Sequence, residues 1–82
     1  MEGFSPNNDN FNETFIINGI EGFPMNRLQI FDRRGTRVFF ASPYKNDWDG
    51  TWEGRDLPSG IYFYLLEDGI GNEFRGYVVL RR

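Results

Sequence analysis

Short runs of aromatic and β-branched residues, separated by glycine, proline and asparagine, constrain this chain more than any other feature. No segment keeps a helical period for longer than a turn or two. Such runs are typical of β-strands, and a spacing of roughly 8–15 residues between them is typical of a sandwich or a small barrel. The sequence therefore predicts an all-β fold, with strands at 14–18, 27–32, 37–41, 60–67 and 74–80 and a short strand near 48–52.

The size and composition of the chain limit both its core and its chemistry. Its 82 residues suit one small domain, in which the aromatic residues (18%) must supply most of the buried surface. The chain has no cysteine and no histidine, which excludes disulfides, thiolate zinc sites and the commonest catalytic bases. A net charge of −3 argues against a nucleic-acid binder. No apolar run approaches the roughly 20 residues of a membrane-spanning helix.

The strongest predicted strand, 60–67, is apolar at successive positions rather than at alternate ones. A sandwich strand normally has one apolar face and one polar face. Ile61, Phe63 and Leu65 are apolar, and so are Tyr62, Tyr64 and Leu66, which would point to the opposite face. Either another part of the chain covers the second face, or that face is exposed to a partner.

A long connection, 46–60, contains both tryptophans and leads into this strand. Trp48 and Trp52 could be stacking platforms for a sugar, with Asp47 and Asp49 as polar contacts. The favoured interpretation is architectural, because tryptophan buries so much area that it usually belongs to the core of a small domain. We therefore expect Trp48 to be buried, with Asp47 or Asp49 accepting hydrogen bonds from backbone amides of the loop.

Two groups of acidic residues were considered as chemical sites. Asp9 and Glu13 lie in an oxygen-rich segment, which is what calcium prefers, but Phe11 stands where an EF-hand loop needs its third ligand. Four carboxylates are of the type that glycosidases use, but all belong to one loop of a small domain that has little room for a cleft. The expectation is no metal or other cofactor, no catalytic residue and no enzyme. The four loop carboxylates of the type that glycosidases use are Asp47, Asp49, Glu53 and Asp56.

An ordered set of residues runs through almost the whole chain. It comprises Phe4-Ser5-Pro6-Asn7-x-Asp9, Asn12, Phe15, Ile20-Glu21, Pro24, Asn26, Leu28-x-Ile30-Phe31-x-Arg33-x-Gly35-x-x-Val38, Tyr44, Asn46-Asp47-Trp48-Asp49-Gly50, Leu57-Pro58-x-Gly60-x-Tyr62-x-Tyr64 and Gly76-Tyr77-Val78. In order and spacing, this set resembles the gliding motility-associated C-terminal domain. That family is the type B sorting domain of the type IX secretion system in Bacteroidetes.

The resemblance implies a small immunoglobulin-like antiparallel β-sandwich of about 6–7 strands that serves as an export signal. Such a domain lies at the C-terminus of a larger cargo and directs it through the periplasm and across the outer membrane to the cell surface or the medium. Its partners would be the cargo and the secretion machinery, without nucleic acid or membrane insertion. Residues 4–82 would form the domain, with Met1 to Gly3 left from cloning. The alternatives are an adhesin-type module that binds a glycan or a surface, and a structural module of a cell-surface protein.

The sequence also proposes roles for individual residues. Arginines at the C-terminus, together with those aromatic residues that prove to be exposed, are the candidates for recognition by the machinery: Arg81, Arg82, Phe31, Phe39 and Tyr77. A second group is expected to hold the loop and the start of the following strand: Trp48, Asp49, Gly50, Gly60 and Tyr62. Tyr62 is similar to the tyrosine of a tyrosine corner, whose hydroxyl bonds back to the chain.

Overall fold

Two β-hairpins, each closed by an aspartate, build most of the single large sheet. The computed structural model describes the backbone of residues 2–4 and the whole of residues 14–81. Within these residues the strands are β1 (Glu2–Phe4), β2 (Arg27–Phe31), β3 (Arg37–Ala41), β4 (Thr51–Trp52), β5 (Arg55–Asp56), β6 (Gly60–Glu67) and β7 (Glu73–Leu80), with one 3-10 helix, Ile20–Gly22. The all-β prediction is confirmed, and five of the six predicted strands are present within a residue or a few of their expected bounds.

The two hairpin turns use the same chemistry. Asp32 Oδ1 accepts hydrogen bonds from the amides two and four residues later, at 2.9 and 3.0 Å. Asp68 Oδ1 does the same for the amides of Ile70 and Asn72, at 2.8 and 3.1 Å. Aspartate favours such turns because its short side chain reaches the backbone that follows it. These turns join β2 to β3 and β6 to β7.

The large sheet has the order β1-β7-β6-β2-β3, and β4 pairs separately with β5. All pairs are antiparallel except β1 with β7, which is parallel. Glu2 and Gly3 belong to β1, next to Val78 and Val79. The domain boundary expected at Phe4 remains a prediction.

The predicted strand at 14–18 was wrong, because this segment joins no sheet. Its amides bond instead to the long connection: that of Phe15 donates to the carbonyl of Trp48 at 2.9 Å, and that of Ile17 to Asn46 Oδ1 at 2.8 Å. β-Branched and aromatic residues favour a half-buried extended surface rather than a strand ladder as such. The segment satisfies that preference by covering one face of the sheet.

The core lies between one face of the large sheet, here called the inner face, and a covering layer made of residues 14–26 and 42–57. Strands contribute Leu28, Ile30, Val38, Tyr62, Leu66, Val78 and Leu80. The covering layer contributes Phe15, Ile20, Tyr44 and Trp48. These two layers fit the predicted small sandwich, although the second layer is mostly loop with a two-stranded ribbon.

Candidate recognition surface

On the other side of the sheet, here called the outer face, aromatic residues form a row across three strands. The registers place Phe31 opposite Phe63, and Phe63 opposite Tyr77. Phe63 is 47% exposed, Tyr77 is 41% exposed and Phe31 is half-buried. We call Phe31, Phe63 and Tyr77 the aromatic row. Directly opposed side chains in a sheet lie next to one another on the same face, so the row forms an apolar strip across three strands.

Further apolar residues widen this strip on both sides. Ile61, 44% exposed, lies opposite Val79. Leu65 follows the row along β6, and Phe40 is exposed on β3. Single exposed apolar residues are common on proteins, but contiguous groups typically mark interaction sites. The outer face is therefore the described surface with the clearest potential for binding a protein partner.

Arginines accompany the apolar strip. The guanidinium of Arg37 lies 5.2 Å from the centre of the Phe40 ring and donates a hydrogen bond to Gln29 Oε1 at 3.3 Å. At the hairpin end of the sheet, Arg27 pairs with Glu67 at 3.2 Å and Arg75 with Glu73 at 3.5 Å. Exposed pairs of this kind contribute little to stability. Their arrangement gives the outer face a polar rim around its apolar centre.

The structure places some of the predicted recognition residues on the outer face and others elsewhere. Phe31 and Tyr77 lie on the outer face, and Arg81 is exposed immediately after β7. Arg82 lies outside the described residues. Phe63 was missed, because its place between Phe31 and Tyr77 depends on a strand order that is not visible in the sequence. The sequence signalled only that Phe63 lies on the opposite face of its strand from Tyr62 and Tyr64.

The prediction of Phe39 as an exposed recognition residue is corrected by the structure, because Phe39 lies on the inner face. A bulge in β3 places Ile30 opposite Phe39 but Phe31 opposite Arg37, so Val38 is an extra residue between them. Such a bulge changes which side chains point to which face. The Phe39 ring therefore packs among Tyr44, Trp48 and Trp52, at centroid distances of 5.8, 5.8 and 6.0 Å.

Trp48 is buried, as expected, with 1% of its surface exposed. Its indole Nε1–H donates to the carbonyl of Thr51 at 3.1 Å, and its ring meets Tyr62 edge-on at 5.9 Å. Trp52 is half-buried against Phe39. A buried indole with its donor already used does not offer a face to a sugar, so the glycan platform built on both tryptophans loses one of its two members.

Polar groups that were not singled out in the sequence hold the covering layer in place. The Tyr44 hydroxyl donates to the Phe15 carbonyl and accepts from the Trp48 amide at 3.1 Å. The Tyr44 amide donates to Asn26 Oδ1 at 2.8 Å, and Asn26 is 1% exposed. Burial raises the pKa of Tyr44 well above its usual range, so its hydroxyl stays protonated. Asn26, Tyr44 and Asn46 all belong to the set that carried the resemblance, which was their only signal.

The acidic residues of the loop have a smaller role than expected. Asp49 Oδ1 accepts from the hydroxyl of Thr51 at 2.6 Å rather than from an amide. Between described residues, the Trp48 amide of the loop donates to the Tyr44 hydroxyl instead, and Asn46 Oδ1 accepts the amide of Ile17 from outside the loop. The four carboxylates of the type that glycosidases use are all exposed: Asp47, Asp49, Glu53 and Asp56.

The remaining structural candidates lie at both ends of the loop. Gly50 has a φ of 84°, which favours glycine, and its carbonyl accepts the amide of Leu57 at 2.8 Å. Gly60 begins β6 with a φ of 152°. The Tyr62 hydroxyl donates to the carbonyl of Pro58 at 2.6 Å, which is the backward bond of a tyrosine corner. Their contribution to stability stays a prediction.

Asp9 and Glu13 lie outside the described residues, so the calcium hypothesis stays untested. Among the residues that the structure does describe, no three acidic side chains group closely enough to hold a metal ion. No helix in that part of the chain is long and apolar enough to cross a membrane.

Comparison with known proteins adds one finding. A family model described as CHU_C, type IX secretion signal domain, matches residues 1–80. No curated protein matches the chain.

Proposed function

The chain belongs to the type IX secretion signal domain family, and from that premise we propose that it directs a larger cargo, joined to its N-terminus, across the outer membrane. The cargo would pass through the periplasm and reach the cell surface or the medium. The single observation that carries this proposal is the family match over residues 1–80. The domain itself would be non-enzymatic and would act by being recognised.

Recognition of a folded domain requires a surface that exists only after folding. The aromatic row meets this requirement, because Phe31, Phe63 and Tyr77 belong to three different strands that are brought together by the sheet. An unfolded chain would not present them together. A receptor that recognises this row would therefore bind the folded domain and not the same residues in an unfolded domain.

The composition of the outer face suits a protein partner. Aromatic residues and arginine are enriched in the residues that dominate binding energy, whereas the polar rim mainly excludes water and sets orientation. Phe63 has the central place in the row, with Phe31 and Tyr77 on its two sides. We expect the partner to present an apolar patch, with carboxylates placed to meet Arg37 and Arg81.

The other side of the sheet keeps this surface rigid. The buried hydrogen bonds of Tyr44 and the packing of Trp48 tie the covering layer to the inner face. A surface that is already in its bound shape loses less conformational entropy on binding. The loop is therefore proposed to contribute to export indirectly, by keeping the strands in register.

A fusion experiment tests the function. Residues 1–82 are joined to the C-terminus of a secreted reporter with an inner-membrane export signal, in a host that has the type IX pathway. The reporter is expected outside the cell, and a reporter without the domain is expected in the periplasm. If the fusion stays in the periplasm while its domain is folded, as judged by resistance to protease, the proposal fails.

The outer face is tested with a matched pair of variants of the same fusion. Phe63→Thr removes the central ring of the row and keeps a residue that favours strands. Ile70→Thr removes an apolar residue that is 74% exposed but lies in the turn between β6 and β7. Export is expected to fall with Phe63→Thr and to be unchanged with Ile70→Thr. Equal export of both fusions would show that the aromatic row is not the recognised surface.

A further inference from the structure

One edge of the large sheet is only partly covered. β7 pairs with β6 through all eight of its residues, but β1 pairs only with Val78, Val79 and Leu80. Among the described residues, the stretch 73–77 has no strand on its other side. In an antiparallel pair, alternate residues direct their N–H and C=O groups away from the partner strand. This stretch therefore offers backbone donors and acceptors to a further strand.

The opposite edge of the sheet is better protected against pairing. β3 has five residues, is distorted by the bulge at Val38, and is soon followed by Pro43. Bulges, short strands and proline are the usual features that prevent an edge from accepting another strand. The stretch 73–77 has neither a proline nor a bulge in its pairing with β6. In the part of the chain that the structure describes, its protection is limited to the charged pair of Glu73 and Arg75.

The direction of β1 shows where a further strand would come from. β1 is parallel to β7, with Glu2 opposite Val78 and Phe4 opposite Leu80. A strand that continued β1 towards its N-terminal side would lie opposite Tyr77 first and Glu73 last. Any polypeptide joined to the N-terminal side of β1 would therefore be aligned with the uncovered edge.

An apolar cavity lies beside the same stretch, on the inner face. Its volume is about 290 Å³, and its walls include Phe74, Tyr64 and Leu66 from the sheet and Ile17, Ile20 and Phe23 from the covering layer. Phe74 is 52% exposed. At Gly76 a Cβ atom would lie 2.6 Å from the Tyr64 hydroxyl, so the absence of a side chain lets Tyr64 extend across β7 towards the edge. Inner-face side chains of an added strand would meet this apolar wall.

We propose that the polypeptide joining the cargo to this domain extends β1 along residues 73–77, as a strand parallel to β7. Its alternate residues on the inner side, opposite Phe74 and Gly76, are apolar and cover the cavity. The inference rests on the proposed function, because it requires a cargo that is joined to the N-terminus. It has one consequence for export: the cargo connection holds the domain in a defined orientation at the edge of the sheet and leaves the outer face open.

Amide hydrogen exchange measured by NMR tests this pairing directly. The chain is prepared alone, with the segment that precedes it in the exported protein, and with the same segment carrying proline at alternate positions. The outward amides of 73–77 are expected to exchange about tenfold more slowly with the natural segment, since each gains a hydrogen bond. Proline has no N–H and disrupts the ladder, so the third protein should exchange as the chain alone does. Amides of 63–66, in the part of β6 that has a strand on both sides, are the reference.

Three outcomes would overturn the inference. Equal exchange of 73–77 in the natural and the proline-substituted proteins would show that the upstream segment does not pair there. If the amides of 73–77 in the chain alone exchange more slowly as the protein concentration rises, the edge pairs with a second copy of the domain. Protection that appears only when membranes containing the secretion machinery are added would assign it to the machinery. The export assay is separate from this measurement, so a non-exported fusion with protected amides would contradict the proposed function and not the strand pairing.

Discussion

The two faces of the large sheet are built from the same strands, and both are rich in apolar side chains, yet within residues 14–81 only one is covered. On β6, Tyr62 and Leu66 point to the inner face and are buried, whereas Ile61 and Phe63 point to the outer face and are about half exposed. The difference arises outside the sheet. The covering layer packs on one side only, because its hydrogen bonds and aromatic rings are directed to that side.

This contrast separates stability from recognition within one small domain. Burial of a large apolar side chain stabilises the fold by about 1.5–3 kcal/mol. The domain obtains this stabilisation where Trp48, Tyr44 and Phe15 of the covering layer pack on the inner face. The outer face forgoes part of that gain at Phe63 and Tyr77. Substitutions on the two faces should therefore have opposite signatures: loss of the fold on the inner face, and loss of export with the fold intact on the outer face.

Trp48→Ala is expected to have the largest effect, because it leaves a cavity between the two layers. The free energy of unfolding should fall by about 3–5 kcal/mol, which is a large part of the stability of a small domain. Chemical denaturation followed by circular dichroism measures this. Trp52→Ala, at a half-buried position of the same loop, is the control and should cost clearly less. If Trp48→Ala is as stable as the unmodified domain, packing of the covering layer on the inner face is not the main source of stability.

Tyr44→Phe keeps the ring and removes one hydroxyl. The Phe15 carbonyl and the Trp48 amide would then lose a buried partner, and we expect a loss of about 1–3 kcal/mol. The matched control is Tyr77→Phe, whose hydroxyl lies on the exposed outer face, and it should leave the melting temperature unchanged. If the two variants melt alike, the covering layer is not held by the Tyr44 hydroxyl.

Phe63→Thr should change stability by no more than about 1 kcal/mol, because the side chain is already half exposed. Its effect should appear in export, as described above. The purified domain is compared with the unmodified one by thermal melting, so that a loss of export is not confused with unfolding. A collapse of the melting temperature would show that the outer face contributes to the core after all.

Asp68→Asn should have the smallest effect of these substitutions, and its effect should be larger at neutral pH than in acid. Burial raises the pKa of Asp68, but hydrogen bonds from the Ile70 amide and from the side chain and amide of Asn72 outweigh it, and the pKa falls below the usual 3.8. A carboxylate with a lowered pKa stabilises the fold above its unfolded pKa, and this contribution is lost as the pH falls through the folded pKa.

Stability measured against pH tests this assignment. The unmodified domain should lose stability as the pH falls below about 4, whereas Asp68→Asn should show a shallower decline over the same range. Identical slopes for Asp68→Asn and the unmodified domain would mean that this turn does not contribute to acid sensitivity.

Local chemistry made most of the fold predictable. Strands β2, β3, β6 and β7 follow from dense β-branched and aromatic runs, and the turns between them follow from Asp32 and Asp68, whose side chains bond to the next few amides. The tyrosine corner at Tyr62 is equally local, since its hydroxyl reaches a carbonyl only four residues earlier. Interactions over such short distances in sequence can be inferred without knowing the rest of the fold.

The errors concern contacts between distant parts of the chain. Segment 14–18 has the composition of a strand but packs as a cover, because its partners are Asn46 and Trp48, about 30 residues away. Phe39 changed faces because of a bulge that is defined only by pairing with β2. Neither the packing of segment 14–18 nor the bulge in β3 can be recognised from the local sequence.

The sequence by itself determined where β2, β3, β6 and β7 and the turns between them lie, that Trp48 would be buried, and which side chains on β6 share a face. Only the tertiary structure decided which of the two faces is covered, and that Phe31, Phe63 and Tyr77 form one row. The physical reason is that alternation along a strand sorts side chains into two sets, whereas burial depends on what packs against each set. Here that choice is made by the covering layer, which is held to the inner face by Tyr44 and Trp48.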